Sequence, residues 1–196
     1  MLTARARQGA FTLVEVLVSI AIVALVLAFA GPSALVWIQN TQLRNAAEAI
    51  LGGVQQARIE ALKRNTTVAF QLTDPLSTAF QVCFYDPATQ NCSTAQPAIA
   101  TRGPSEGSPN AGVGIDFAAS AAATALDPGS NLPALVAFDS FGRVSTASPL
   151  NIARIDVRNL VAGSDERRMD IYIAPGGQIR MCDPKLSQAT NPQGCQ

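Results

Sequence analysis

One carboxylate, Glu15, stands at the fifth place of an otherwise apolar run from Phe11 to Ala30. An acid there costs about 2.5 to 3.5 kcal/mol or more when such a run enters hydrocarbon, so its retention asks for a use. Histidine is absent from the chain, which removes the commonest general base and the commonest transition-metal ligand. No nucleophile motif, phosphate-cradling glycine loop or metal-ligating cluster is visible either, and an enzyme is the class the sequence favours least; no cofactor is expected. The four cysteines form two sequence-local pairs, Cys83 with Cys92 and Cys182 with Cys195, although four cysteines permit three connectivities. Neither pair has the tight spacing of a zinc knuckle. If the body of the chain is exported, disulfides are expected, each worth about 3 kcal/mol for loops of this length.

Cationic side chains suited to phosphate contact gather late in the sequence, at Arg154, Arg158, Arg167, Arg168, Arg180 and Lys185. Asp156, Asp165, Glu166, Asp170 and Asp183 are interspersed with them, so the region reads as a mixed-charge surface and not as a single-sign stripe. The formal net charge is zero, and loss of Arg5 and Arg7 with the first ten residues leaves 12 basic against 14 acidic side chains, a net charge of −2. Generic attraction to nucleic acid is not written into that balance.

The elements that must position these groups begin with the apolar run itself. Its twenty residues, at about 1.5 Å each in a helix, cover a hydrocarbon core of roughly 30 Å, and Arg5 and Arg7 favour the cytoplasmic side. Three readings compete: a plain anchor, a secretory signal cut at Ala28-Phe29-Ala30 before Gly31, and a leader cut just ahead of the run. The run is longer than an ordinary signal core, and Glu15 has no role in one. Gly31-Pro32 should bend the helix. Beyond it Leu43, Ala47, Ile50, Leu51, Val54, Ala57, Ala61 and Leu62 form an apolar stripe, with Arg44–Glu48 and Glu60–Arg64 as i,i+4 pairs on the wet side.

That stripe needs a partner, and the rest of the chain reads as β structure. Val68, Phe70 and Leu72 alternate, as do Phe80, Val82 and Phe84, and Val113, Ile115 and Phe117; further strands are expected at Leu135 to Phe138, Ile152 to Val157, Met169 to Ile173 and Gln178 to Met181. Asp139-Ser140-Phe141-Gly142 and Ala174-Pro175-Gly176-Gly177 supply turns. Residues 101–112 and 118–133 read as long surface loops. At 196 residues, 48% hydrophobic, one domain with a sizeable core is expected, with no second domain and no internal repeat.

The segment Gly9-Ala10-Phe11-Thr12-Leu13-Val14-Glu15 resembles the processing site of type IV pilins. The resemblance implies that a prepilin peptidase cuts before Phe11, which becomes an N-methylated N-terminus, and that Glu15 at mature position five meets the α-amine of a neighbouring subunit during assembly, an ion pair that offsets part of its desolvation. The family usually has Gly directly before Phe, whereas Ala10 intervenes here; a cut after Gly9 instead would make Ala10 first and Glu15 sixth. Counted from Phe11, Pro32 falls at mature position 22, where major pilins tend to carry a proline. The stretch Ala57 to Val68, the turn Phe138 to Arg143 and the terminal Gly176 to Cys182 resemble the GspH/FimT/FimU group of minor pilins and pseudopilins, so the similarity spans both ends and much of the body.

What the resemblance implies is an α+β pilin fold, a long N-terminal helix with a transmembrane first half packed on antiparallel β-sheet in two layers. Residues 1–10 would be the cleaved leader, 11–40 the transmembrane and filament-core helix, and 41–196 the periplasmic or extracellular head, with helix to 64, β structure over 66–182 and a disulfide-closed tail over 183–196. The processing residues are Gly9, Ala10 and Phe11, and the assembly residues Phe11, Glu15 and Pro32. Other minor and major pilins, the prepilin peptidase and the inner membrane are the implied partners. The role implied is initiation or capping of a type IV pilus at its tip, with a type II secretion pseudopilin as an alternative. A DNA-binding minor pilin of the FimT type carries a Gly-Arg-x-Arg motif; here Gly177, Gln178, Ile179 and Arg180 align, so one arginine is missing. DNA is therefore not favoured, and any contact would fall to Arg167, Arg168, Arg180 and Lys185.

The processing reading makes a prediction. Intact-mass analysis of the chain recovered from its native membranes should give a species beginning with methylated Phe11; a chain beginning at Gly31, or an intact Met1, overturns it.

Overall fold

In the computed structural model the described residues are 11–74, 76–104, 106, 108–121, 124–160 and 167–195, with backbone only for 29–35. Gly9, Ala10 and the Pro32 side chain with its expected bend lie outside them. A single helix, α1, runs from Leu13 to Arg64, and the chain divides into two compact units, one ending at Ile38 and the other running from Gln39 onward.

In the first unit every described side chain from Phe11 to Ala28 is exposed, and nearly all are apolar. Among the described residues no helix is long and apolar enough to cross a membrane; the side chains of 29–35, which complete the sequence's apolar run, are not among those described.

In the second unit α1 is one-sided. Leu43, Ala46, Ala47, Ile50, Val54, Ala57 and Ala61 are buried, spaced by three and four residues so that they share one face. Leu51 is only partly buried and Leu62 is exposed, so the stripe is narrower than the sequence pattern suggests. Both charge pairs form on the wet side, Arg44–Glu48 at 2.9 Å and Arg64–Glu60 at 2.7 Å, with Lys63 also 3.4 Å from Glu60. Asn65, with a φ of 51°, ends the helix in the left-handed conformation that asparagine tolerates.

Among the described residues nine strands follow, all paired antiparallel: β1 (Val68–Leu72), β2 (Phe80–Asp86), β3 (Asn91–Cys92), β4 (Ala100–Arg102), β5 (Ala111–Asp116), β6 (Ala134–Phe138), β7 (Arg154–Asn159), β8 (Arg168–Ile173) and β9 (Ile179–Cys182). They make two sheets. The first has the order β3-β2-β1-β6 with β4 also beside β2, and the second the order β5-β7-β8-β9. One hydrophobic core joins the buried face of α1 to Val68, Phe70, Leu72, Val82, Val136 and Phe138 of the first sheet and to Val113, Ile115, Ile155, Val157 and Ile171 of the second.

The structure corrects the strand reading in particular places. Residues 101–112 are not one loop, because β4 closes at Arg102 and β5 opens at Ala111; β3 and β4 are too short to show a two-residue period. β7 begins at Arg154, two residues later than Ile152. The alternation in β1 does not mark a wet face either, since all five of its residues are buried. Of its outer positions, Ala69 packs in a small second cluster with Cys83, Tyr85, Leu135 and Ala137, while the Gln71 amide donates to Asn91 Oδ1 and accepts from Gln81 Nε2, both at 2.7 Å. The Cys83–Cys92 disulfide ties down the β2–β3 hairpin beside it, while the Tyr85 hydroxyl donates to the carbonyl of Ala147 and Asn151 accepts from the N–H of Ala137.

α1 approaches the first sheet closely at Gly53, where an added Cβ would lie 2.6 Å from Cε2 of Phe80 and 2.9 Å from Cε2 of Phe70. Those rings are 5.0 Å apart between centroids in the core, so neither can easily give way. At Gly52 a Cβ meets nothing within 4 Å. Gly52→Ala should therefore stabilise the fold by up to ~1 kcal/mol through helix propensity, while overpacking makes Gly53→Ala destabilising by roughly 1–2 kcal/mol. Denaturant melts of the two full-length variants in detergent micelles check the opposite signs.

Candidate functional site

The first group of candidate residues sits where α1 starts. The Thr12 hydroxyl accepts the backbone N–H of Glu15 at 3.2 Å, and the Thr12 carbonyl accepts the N–H of Val16 at 3.2 Å. Thr12 is thus the N-cap and Glu15 the third helical residue, the order of a capping box. The carboxylate stands at the positive end of the helix dipole, where a negative charge is favoured. Thr12 was legible as a Thr-x-x-Glu pattern ahead of an apolar run, but the reading of this segment as a processing site passed over it. Phe11 is 79% exposed, and among the described residues Glu15 has no ion-pair partner. One turn on, the Ser19 hydroxyl donates to the carbonyl of Glu15 at 2.7 Å.

The second group lies where α1 ends. Arg58 falls in the stretch Ala57 to Val68 that resembles the GspH/FimT/FimU group, and in the structure its Nε donates to the carbonyl of Gly142 at 2.9 Å. That carbonyl belongs to the turn after β6, which Asp139 organises by accepting the N–H groups of Phe141 and Arg143, both at 2.9 Å. Burial alone raises the pKa of the Asp139 carboxyl, but those two N–H groups and the Arg143 charge outweigh it and hold the group below its usual value. Gly177, in the turn between β8 and β9, completes the junction. A Cβ there would stand 1.9 Å from the Gly142 carbonyl oxygen and 3.1 Å from Arg58 Nε, and φ is +81°. The Val144 N–H donates to the carbonyl of Pro175 at 3.0 Å, linking the same two turns. Three stretches far apart in sequence therefore meet at one guanidinium. Around it Glu60 is held below the usual carboxylate range, chiefly by its bond to Arg64.

The late cationic residues divide into two sets. Arg154 is fully buried, so it belongs to no surface patch: its NH2 is 3.0 Å from Asp170, and its guanidinium donates to the Ser120 hydroxyl and the carbonyls of Ala121 and Thr124. Arg168 is mostly buried and pairs with Asp156 at 2.9 Å, and Arg158 reaches Asp127 at 2.8 Å. Arg167, Arg180 and Lys185 are exposed and lie about the tail closed by the Cys182–Cys195 disulfide. Arg167 is 4.0 Å from Asp183, Arg180 donates to the carbonyl of Gly194, and the backbone N–H of Lys185 donates to Asp183. Period-two placement on β7 and β8 was the available signal for the buried set, since Arg154, Asp156 and Arg158 share one face with Arg168, Asp170 and Tyr172.

Gly177→Ala should cost about 3 kcal/mol or more, because it combines positive φ with a backbone collision, and Arg58→Ala about 1–2 kcal/mol. Gly176→Ala, where a Cβ meets nothing within 4 Å, should stay within about 0.5 kcal/mol of the parent. Denaturant midpoints with the disulfides kept oxidised test the ranking.

Both groups fall inside sequence families. Residues 5–31 match the prokaryotic N-terminal methylation motif, and residues 46–177, well over half the chain, match the type II transport protein GspH. No curated protein matches the chain. Among solved structures, the type IV minor pilin FimU of Pseudomonas aeruginosa, strain PAO1, is similar at 15% sequence identity and a TM-score of 0.48, over 82% of this chain and 99% of that one. The processing-type N-terminus, the α+β head and the two matches lead to one statement: the chain belongs to the GspH family of pilin-like subunits, which are anchored in a membrane before assembly.

Proposed function

We propose that this chain is a structural, non-catalytic minor subunit of a type IV pilus that helps initiate or cap assembly at the filament tip. The observation carrying the reading is the segment Phe11 to Ala28, apolar and exposed on every side, with a single carboxylate in its first turn. In water such a surface is unsustainable, so the segment needs lipid before assembly and other helices afterwards. Before assembly the chain crosses the inner membrane once with its head in the periplasm; prepilin peptidase cuts before Phe11, and Glu15 then meets the new α-amine of a neighbouring minor or major pilin. The N-cap at Thr12 supports this, because it keeps the helix start intact while the Glu15 side chain remains open to a partner.

A second reading, a minor pseudopilin of a type II secretion system, is favoured by the family match itself, which carries the type II transport description. Deletion of the gene separates the two. Loss of surface filaments with exoprotein secretion intact supports the pilus, and the converse supports the secretion system. Reintroduced Glu15→Val should be cleaved normally yet remain in the inner membrane without restoring filaments; full restoration by that variant would sink the assembly role of Glu15.

A further inference from the structure

The outer face of the second sheet is unusual for a surface β-sheet. Its alternate residues are Arg154, Asp156 and Arg158 on β7 and Arg168, Asp170 and Tyr172 on β8, yet Arg154, Asp156 and Asp170 are fully buried. What covers them is a strap of residues 124–128 together with residues 118–121. The strap lays Leu126 and Pro128 over β5 and is also held by polar ties to the acid–arginine cluster. The Leu126 N–H donates to Asp156 Oδ2 at 2.8 Å, and Arg158 reaches Asp127 at 2.8 Å. Arg154 binds the carbonyls of Thr124 and Ala121, at 2.6 and 2.8 Å, and the Ser120 hydroxyl, while the Tyr172 hydroxyl donates to the Ser120 carbonyl at 3.0 Å.

Beneath the strap β5 presents glycines. A Cβ on Gly114 would lie 2.6 Å from the carbonyl oxygen of Asp127, and one on Gly112 3.0 Å from the Pro128 Cβ. The strap leads directly into the residues that occupy the free edge of β5, where Gly129 N–H donates to the Val113 carbonyl at 2.8 Å and the Asn131 amide to the Ile115 carbonyl at 3.0 Å.

Within the cluster Asp170 is the ill-matched member. Arg154 NH2 stands 3.0 Å from Oδ2 of Asp170 as an ion pair, but among the described residues neither carboxylate oxygen has a partner in good hydrogen-bonding geometry, and Oδ1 of Asp156 likewise has none. The charged and titratable groups around it are Arg154 and Asp156 on β7, Arg168 and Tyr172 on its own strand, Arg180 opposite Tyr172 on β9, Asp183 just beyond β9, Asp127 in the strap and Asp116 ahead of residues 118–121. Two buried carboxylates thus share one pair of guanidiniums, and Asp156 already takes Arg168 and the strap's Leu126 N–H.

We propose that the strap is a pH-responsive cover over this cluster and the β5 edge, held more firmly in mild acid than at neutral pH, with Asp170 as the group that sets the difference. Burial and then the charge of Asp156 raise the Asp170 carboxyl from 3.8 to about 6, outweighing Arg154 and Arg168. Folded-state elevation of an acid means that the covered state keeps its proton where the hydrated carboxyl would lose it. Lifting the strap therefore releases a proton between about pH 4 and pH 6, and opening becomes more favourable as pH rises through that window and levels off above it, by up to ~100-fold in the opening constant. Above the window an unneutralised carboxylate on Asp170 opposes closure; a proton on Asp170 removes that repulsion. The Asp116 carboxyl, held low first by the Ser120 hydroxyl and then by the N–H of Ala118, titrates only below this range.

Hydrogen exchange of the full chain in detergent micelles, disulfides oxidised and intrinsic rates divided out, tests this from pH 4 to 7.5. Protection at the Leu126 and Gly129 amides should fall by up to ~100-fold across pH 4 to 6, while core amides of β1 change less. Asp170→Asn should make strap protection independent of pH, and Arg158→Gln, which cuts a tie away from Asp170, should lower it equally at every pH. A flat wild-type profile, a β1 profile that falls in parallel with the strap, or an unchanged pH step in Asp170→Asn each overturns the proposal. Should Asp170→Asn fail to fold, the wild-type and Arg158→Gln profiles still decide: a strap-specific step preserved in both upholds it, and its absence from the wild type overturns it.

Discussion

The helix α1 has to satisfy two different surroundings. An α-helix pairs its own backbone groups, so its side chains alone decide where it can lie. From Leu13 to Ala28 α1 is apolar but for Glu15 and Ser19, and from Leu43 to Ala61 it is apolar on one side. Only the second stretch can be completed by the chain that follows it, and the two sheets do so, contributing valines, isoleucines and phenylalanines to a shared core with the helix stripe. The first stretch has no such counterpart among the described residues, which is the physical reason a subunit of this family is not finished until something else covers it.

The end of α1 is fixed by polar means. One guanidinium, donating to one turn carbonyl above a glycine from another turn, holds the helix, the first sheet and the second together. The arrangement uses bare backbone where side chains would separate the layers, and this explains why two hairpin turns belonging to different sheets both carry glycine at positive φ. On the far side of the second sheet the opposite solution appears. Charged side chains are buried there at the expense of desolvation, and their hydrogen bonds help to organise the covering segment.

Much of this was legible in the sequence, and the reasons differ by element. The helix, seven of the strands and both key turns followed from period, length and glycine placement, because those features record local geometry. The lengths of β3 and β4 hid them, since two or three residues show no period. The buried faces of β1 and β6 were missed because Ala69, Gln71 and Ala137 look compatible with solvent, and only the hairpin and the segment around Asn151 reveal that they are covered. Arg154 and Asp170 misled for a related reason: charge predicts exposure until a partner of opposite sign is close enough, and partners two residues or a whole strand away are a property of sheet register. Arg58 was visible as part of a family-like motif, but its target carbonyl lies 84 residues further on, a pairing that no local pattern encodes.

The junction at Gly142 and Gly177 also divides the head into regions that can and cannot carry foreign sequence. Hairpin tips are the customary places to graft an epitope or a labelling tag, yet the tip after β6 and the tip between β8 and β9 press backbone against backbone, and extra residues in either would lever the two sheets apart. The connection between β3 and β4 is different: residues 94–98 are exposed, make few contacts and follow a hairpin already fastened by its disulfide. A fluorophore or antibody handle introduced there would report on the subunit's whereabouts while leaving its architecture alone.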